Sequence, residues 1–394
     1  MGLSIVTDRF DVVIVGGGPV GMALALRLKA WNIVTLLLEA QSLTDPVTDS
    51  RPLALSYGSQ LILRRLNVWD SLASVTPIQT IHISNHGHAG QTLIRSEDAG
   101  VPVLGSVVNY HGLYDAFYQM MRQQNVTFQL GAKVTSLTHQ PDHVQVDYEQ
   151  SGETHRVDAK LLVLADGGKL VSQVEGIHFH THDYQQWAVV ANIQTSIGQR
   201  GIAYEHFTLD GPVALLPSDT GYALVWTVPA DQVDRILNWD DATFLSELQV
   251  HFGDMAGQFV SCGKRTGFPL TLKYASPTIA PRTVLIGNAS QTLHPVAGQG
   301  FNLGLRDAWE LASELIRSAN FAADVGSSRL LSTFASKRQI DREGGKFFTN
   351  TLAKLFTVNF PSLQVACGLS LSILDQLSPV KRFVARRMIF GARG

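Results

Sequence analysis

The chain has 394 residues, enough at roughly 150 residues per domain for two or three domains with a real core. Its 31 basic and 33 acidic residues leave a formal charge of −2, which excludes the basic field that draws nucleic acid. Charged residues make up 16% and hydrophobic ones 45%, a balance that excludes disorder, and two cysteines, Cys262 and Cys367, exclude a disulfide framework and suit a reducing cytoplasm.

An apolar run over 12–15, a glycine turn, an Ala/Leu-rich helix over 19–30 and a second strand over 34–38 open the chain as β-α-β. That order requires a parallel pair with a right-handed crossover. The first ten residues lack the basic start and long apolar stretch of a secretion signal, so the expected location is cytoplasmic. The turn reads Gly16-x-Gly18-x-x-Gly21, with Glu39 at the end of the next strand, and this spacing is that of a dinucleotide fingerprint. Gly16 permits the tight turn, Gly18 lets the backbone approach a pyrophosphate at the helix N-terminus, and Gly21 allows close helix-to-strand packing. Glu39 would accept from ribose hydroxyls. The motif by itself does not choose NAD over FAD.

A polar stretch over 41–52 precedes helical periodicity at Leu61, Leu63, Leu66, Trp69 and Leu72, and then an alternating segment over 80–84. A helix over 113–123 leads back to strands over 126–130, 144–148 and 161–165, the last ending in Asp166-Gly167, so the first domain is expected to be discontinuous. From 178 to 274 alternation dominates, with strands over 189–193, 213–216 and 222–227 and one helix over 243–252, the pattern of an antiparallel inserted domain. Phe207, Leu215, Pro217 and Trp226 on these strands are either walls for an apolar ligand or ordinary core.

A short strand over 283–286 ends in Gly287-Asn288 and runs on through His294-Pro295 to Gly298-Gln-Gly300-Phe301-Asn302. A helix starting near Gly300 aims free N–H groups and its positive end at an electron-rich ligand edge. Two glycine loops, each behind a strand, suit a long FAD better than NAD. Everything after Gly300 reads as helical. The uncharged stretch over 355–374 carries too many polar residues for a membrane span. The last 19 residues hold Lys381, Arg382, Arg386, Arg387 and Arg393 with no acid, interleaved with Phe383, Val384, Met388, Ile389 and Phe390. Such a tail is either a peripheral contact with an anionic membrane or a packed terminal helix with a solvated basic face.

The Gly16 fingerprint, Ala165-Asp166-Gly167, and Gly287-Asn288 with Pro295-x-x-Gly-Gln-Gly-x-Asn302 together resemble the three motifs of the single-component FAD-dependent aromatic hydroxylases, the class A flavoprotein monooxygenases. They span nearly the whole chain. Within that family the stretches 83–90 and 287–304 are most similar to the 2-polyprenyl-6-methoxyphenol hydroxylases of ubiquinone biosynthesis. The resemblance implies an α/β fold, α+β overall, of the p-hydroxybenzoate hydroxylase-like kind. Its parts would be a Rossmann-like FAD-binding domain from 1–75, 100–177 and 275–345, an inserted antiparallel β-sheet substrate domain from 76–99 and 178–274, and a C-terminal helical region over 346–394.

The same resemblance implies FAD held by Gly16, Gly18, Gly21, Glu39, Arg51, Asp166, Asn288, Gly300, Phe301 and Asn302, with Arg51 near the phosphates. Pro295, Gly298 and Gly300 would wall the reacting face. The implied chemistry is flavin reduction by NAD(P)H or another donor, oxygen addition to give a C4a-hydroperoxide, and hydroxylation of a polyprenylated phenol. Other ubiquinone-biosynthesis proteins are implied as partners. Neither a general acid nor a general base is assigned. Two features depart from the family pattern: Asn288 stands where most members carry Asp, and Leu170 and Gln173 where relatives often have Ser and Arg. An amide oxygen still accepts a hydrogen bond, without charge. A flavin oxidoreductase acting on another aromatic or lipid substrate, or a non-catalytic flavin-binding subunit, therefore stays open as an alternative. His178, His180 and His182 alternate and would share one strand face, but flavin chemistry requires no metal there.

Overall fold

A computed structural model of the chain describes residues 8–42, 51–85, 90–292, 299–357 and 375–391. Pro295, Gly298, Cys367, Arg393 and most of the 355–374 stretch lie outside the described residues. The organising element is a parallel ladder in which Thr283–Leu285, Glu153–Leu164, Asp8–Val15, Thr35–Glu39 and Phe128–Leu130 lie side by side in that order. Val12, Val13, Ile14 and Leu161 through Leu164 are fully buried, as a parallel sheet covered on both faces demands.

On one face Val12 and Ile14 pack with Leu24, Phe117 and Leu311, from the helices Pro19–Lys29, Tyr110–Gln123 and Gln299–Asn320. On the other, Val13 and Val15 meet Val134, Val144 and Val146 of the antiparallel strands Lys133–His139 and Val144–Gln150. The Pro19–Lys29 helix starts on a proline in its first turn and ends on Arg27 and Lys29, a favourable polarity for its dipole. It is apolar nearly all round because helices on both sides enclose it.

A second sheet of nine strands runs in the order Gln291–Thr292, Thr266–Ser276, His178–Thr195, Gly221–Pro229, Gly211–Ser218, Ile202–Thr208, Thr80–Asn85 and Gln91–Arg95, with Phe259–Cys262 beside His178–Thr195. Its pairing is antiparallel except where Thr80–Asn85 joins Ile202–Thr208 in parallel. That one pair carries the segment near residue 80 into the sheet formed mainly by 178–276. The helices Val233–Leu237 and Asp241–Phe252 cover one sheet face through Ile236, Phe244 and Leu248. A small third sheet, Pro52–Ser56, Gly105–Asn109 and Thr76–Ile78, has no counterpart in the periodicity reading, because its three strands are too short and too mixed to carry a pattern.

The long helix Gln299–Asn320 is tied to the first sheet by a buried charge pair. Arg338 Nε donates to Asp307 Oδ1 at 2.7 Å, and the Gly287 amide donates to Asp307 Oδ2 at 3.3 Å. Gly304 lets the helix come this close: a Cβ there would lie 3.1 Å from Gly287 Cα. The Arg338 guanidinium also contacts Asp341. Replacing Asp307 with Ala leaves a buried guanidinium short of one acceptor and should destabilise the fold by about 3 kcal/mol. Urea denaturation measures this directly, and an unchanged midpoint would show that Asp341 alone neutralises Arg338.

Candidate active site

The ladder brings three distant segments to one edge. The Gly16 amide donates to Leu38 O at 2.8 Å, the Ala165 amide to Val15 O at 2.8 Å, and the Ile286 amide to Leu164 O at 3.0 Å. Gly16, Asp166 and Gly287 are therefore neighbours at the carboxyl ends of adjacent parallel strands, the usual ligand-binding edge of such a sheet. Gly16 has φ +112°, and a Cβ on it would sit 2.5 Å from the Ala165 carbonyl carbon. A Cβ on Gly21 would sit 2.1 Å from Gly16 O. No side chain caps the helix at Gly18, which leaves its first amides for an anionic ligand.

Glu39 accepts from the Gly17 amide at 2.5 Å and from the Gln41 amide at 2.8 Å. Asp166 accepts from the amides of Gly168 and Leu170 at 3.0 and 2.8 Å, so its carboxylate shapes the turn as well as lining the site. The Arg51 guanidinium lies 5.6 Å from the Phe268 ring centre, at the cavity wall. Asn288 is exposed on the short turn Gly287–Ala289, and Gly300 and Phe301 line the cavity from the start of the long helix.

Asn302 does not line the cavity. Its Oδ1 accepts from the Ser56 amide at 2.9 Å and from Ser59 Oγ at 2.7 Å, and its Nδ2 donates to Ala54 O at 2.8 Å. The side chain thus clamps the helix start to the segment that follows Arg51.

These residues bound one end of a cavity of about 1300 Å³, and the second sheet bounds the other. There the wall is Ile81, Ile83, Ala203, Phe207, Leu216 and Val225, with Val384 and Met388 from the C-terminal helix Ser378–Phe390. Of the four candidate wall residues read from the alternation, only Phe207 lines it. Leu215 and Trp226 pack instead into the core under the Asp241–Phe252 helix, and Pro217 is buried away from the cavity. The reason is the two-residue period of a strand: on Gly211–Ser218, Ala214 and Leu216 face the cavity while Val213 and Leu215 face the helices. Both faces are apolar, so the pattern has two equivalent readings.

The terminal basic segment is partly packed. Lys381 is buried between Asp98 and Asp375, and Ile389 is buried in a core cluster, so neither is available to a membrane. His180 stacks on Tyr274 and His182 meets Tyr184 edge-on, and among the described residues no His, Cys, Asp or Glu cluster has the makings of a metal site.

The functional candidate that motif reading missed is Glu205, on the cavity face of Ile202–Thr208. Burial raises its carboxyl from an ordinary 4.5 to about 7. A lone Glu alternating with apolar Ala203 and Phe207 on a strand was the available signal, but it became meaningful only once that face was known to line a cavity. Because the folded carboxyl holds its proton to higher pH than the unfolded one, stability should fall as pH rises from about 4.5 to 7. The size of the shift, from 4.5 to about 7, caps the loss at roughly 3 kcal/mol. Glu205→Gln should remove this dependence; equal pH slopes of the urea midpoint in the two proteins would contradict it.

A family model described as an FAD binding domain matches residues 9–341. The chain is 32% identical to a ubiquinone hydroxylase, UbiL, of Rhodospirillum rubrum, over 95% of this chain and 88% of that protein. It is 29% identical to the 3-demethoxyubiquinol 3-hydroxylase of Escherichia coli, over 94% and 96%. Its fold matches the crystal structure of p-nitrophenol 4-monooxygenase from Pseudomonas putida with a TM-score of 0.80 at 17% identity, over 98% of this chain and all of that one. With the glycine cradle, the uncapped helix start and the cavity they open into, these likenesses give one result: the chain belongs to the FAD-binding-domain family and is an FAD-dependent aromatic-ring monooxygenase related to the hydroxylases of ubiquinone biosynthesis.

Proposed function

We propose that this protein hydroxylates the aromatic ring of a polyprenylated phenol in ubiquinone biosynthesis, with NAD(P)H as electron donor. The observation that carries the reading is the continuity of one cavity, from the Gly16 and Gly287 loops to an apolar sheet face. A hydrophilic aromatic substrate would have little use for walls of Ile81, Ile83, Leu216 and Val225, whereas a prenyl chain gains roughly 0.8 kcal/mol per buried CH₂ there. The ubiquinone hydroxylases among its relatives support the same substrate class.

FAD fits the glycine-loop end. A side chain on Gly16 or Gly21 would collide with backbone, and the helix behind them presents uncapped amides where a pyrophosphate would lie. In this reading Gly16, Gly18 and Gly21 admit the pyrophosphate, Glu39 accepts from the ribose, and Arg51 balances phosphate charge. Asp166 and Asn288 accept from the remaining polar groups, and the helix start at Gly300 and Phe301 opposes negative charge developing on the ring system. Asn302 holds that helix start in place. Bound FAD supplies the oxygen activation; the chain supplies orientation and an apolar enclosure that keeps water from the reacting centre. If the protein is reconstituted with FAD and given NADPH, a short-tailed prenylphenol and ¹⁸O-labelled dioxygen, the ring should gain one labelled hydroxyl. NADPH oxidation that yields only peroxide would refute the assignment.

The C-terminal helix supports a peripheral membrane contact that feeds this cavity. Leu377, Val380 and Phe383 are exposed at threefold spacing beside exposed Arg382, Arg386 and Arg387, while Val384 and Met388 line the cavity. No helix among the described residues is long and apolar enough to cross a membrane. Phe383→Glu should lower co-sedimentation with phosphatidylglycerol vesicles by about tenfold without changing the melting temperature. Undiminished sedimentation would remove this contact from the model of substrate delivery.

A further inference from the structure

Among the described residues that the second sheet contributes to the cavity, Glu205 is the only charged one. Its cross-strand neighbours are Ile83 and Ala214, and the same-face residues along its own strand are Ala203 and Phe207. Beyond Ala214 the row continues through Val225 to Val190. Oε1 of Glu205 is shut off from solvent and has no hydrogen-bond partner among the described residues. Of the flanking polar residues, Tyr204 also borders the cavity but its hydroxyl is engaged, donating to Met255 O at 3.1 Å, and His206, which does not border it, pairs with Ser84 at 2.8 Å. Arg51, Lys133, Lys169, Glu39 and Asp166 also line the cavity, from segments outside the second sheet. An unpartnered carboxylate in an apolar wall lowers stability, so its partner is to be sought in what the cavity binds.

We propose that Glu205 accepts the phenolic hydroxyl of the aromatic substrate and takes its proton as the ring is activated. The assignment rests on the phenol-hydroxylase reading above. In this step the phenol O–H bond breaks and an O–H bond forms on the Glu205 carboxylate; the electron pair stays on the phenolate oxygen and enriches the ring carbons ortho and para to it. The neutral carboxyl returns its proton to water when product leaves. Nothing is oxidised or reduced in the transfer. Burial brings the carboxylate's proton affinity to about 7, closer to that of a phenol at about 10 than an ordinary glutamate would be.

The experiment compares binding of 2-geranyl-6-methoxyphenol and of its O-methyl ether to FAD-reconstituted protein by ultraviolet difference spectroscopy, from about pH 5.5 to 8.5. The wild-type protein should prefer the phenol about 10- to 100-fold once Glu205 ionises, with the preference fading at acid pH. Glu205→Gln should lose most of the preference and its pH dependence, and Glu205→Asp should retain a weaker form of both. Glu205→Gln should melt at or above the wild-type temperature, because no native partner is lost; a large fall would mean a structural role and overturn the proposal. So would a preference unchanged in the Gln variant, or wild-type protein that binds phenol and ether alike. The broader reading fails separately: a Glu205-dependent preference with no labelled oxygen in the ring leaves the phenol acceptor standing and removes the hydroxylation.

Discussion

The register of the parallel ladder is the constraint on which the site depends. Val15, Leu164 and Leu285 are aligned in neighbouring strands, so the turns after them open at the same edge although they are separated by more than a hundred residues of chain. The alignment tolerates almost no bulk. Gly16 passes against the Ala165 carbonyl, Gly21 against Gly16 O, and Gly304 against Gly287. Sheet, crossover helix and the long helix Gln299–Asn320 are thereby locked together at the points where a dinucleotide would be held. Asp307 extends the lock by joining the Gly287 amide to the Arg338 guanidinium.

Against that rigid edge the second sheet supplies the variable part of the cavity. One of its faces is closed by the Asp241–Phe252 helix and does the work of a core; the other is left to a ligand. Among the described residues this sheet brings to the cavity, Glu205 is the only charged one, and its contrast with the apolar residues beside it makes the carboxylate informative. A substrate that is mostly hydrocarbon with one ionisable hydroxyl is the chemical complement of that wall. The C-terminal helix completes it from outside, with Val384 and Met388 lining the cavity and Phe383 exposed.

Asn302 shows how a conspicuous motif residue can bind neighbouring backbone instead of lining the cavity. Its amide makes three hydrogen bonds to the segment 54–59, which follows Arg51 and begins the helix Tyr57–Arg65. The asparagine fixes the angle at which Gly300 and Phe301 meet the cavity. Its fork of donor and acceptor suits this role, since an aspartate at the same place would lack the donor to Ala54 O.

The sequence alone determined the β-α-β start, the glycine fingerprint, the three motifs and with them the family. These depend on backbone demands that admit few residue types: a left-handed turn at Gly16, contact distances at Gly21, a helix start free of side chains at Gly18. The strands over 189–193, 213–216 and 222–227 and the helix near 243–252 were legible for the same reason, because periodicity is a local property. Which strand face is core and which is cavity was decided only by tertiary structure. Leu215 and Leu216 differ by one step along a strand and have the same chemistry; the helices that cover one face, brought in from elsewhere in the chain, separate their fates. Glu205 became visible, and Lys381 and Ile389 turned inward, for that reason too: burial is a relation between distant segments, and no window of sequence contains both partners.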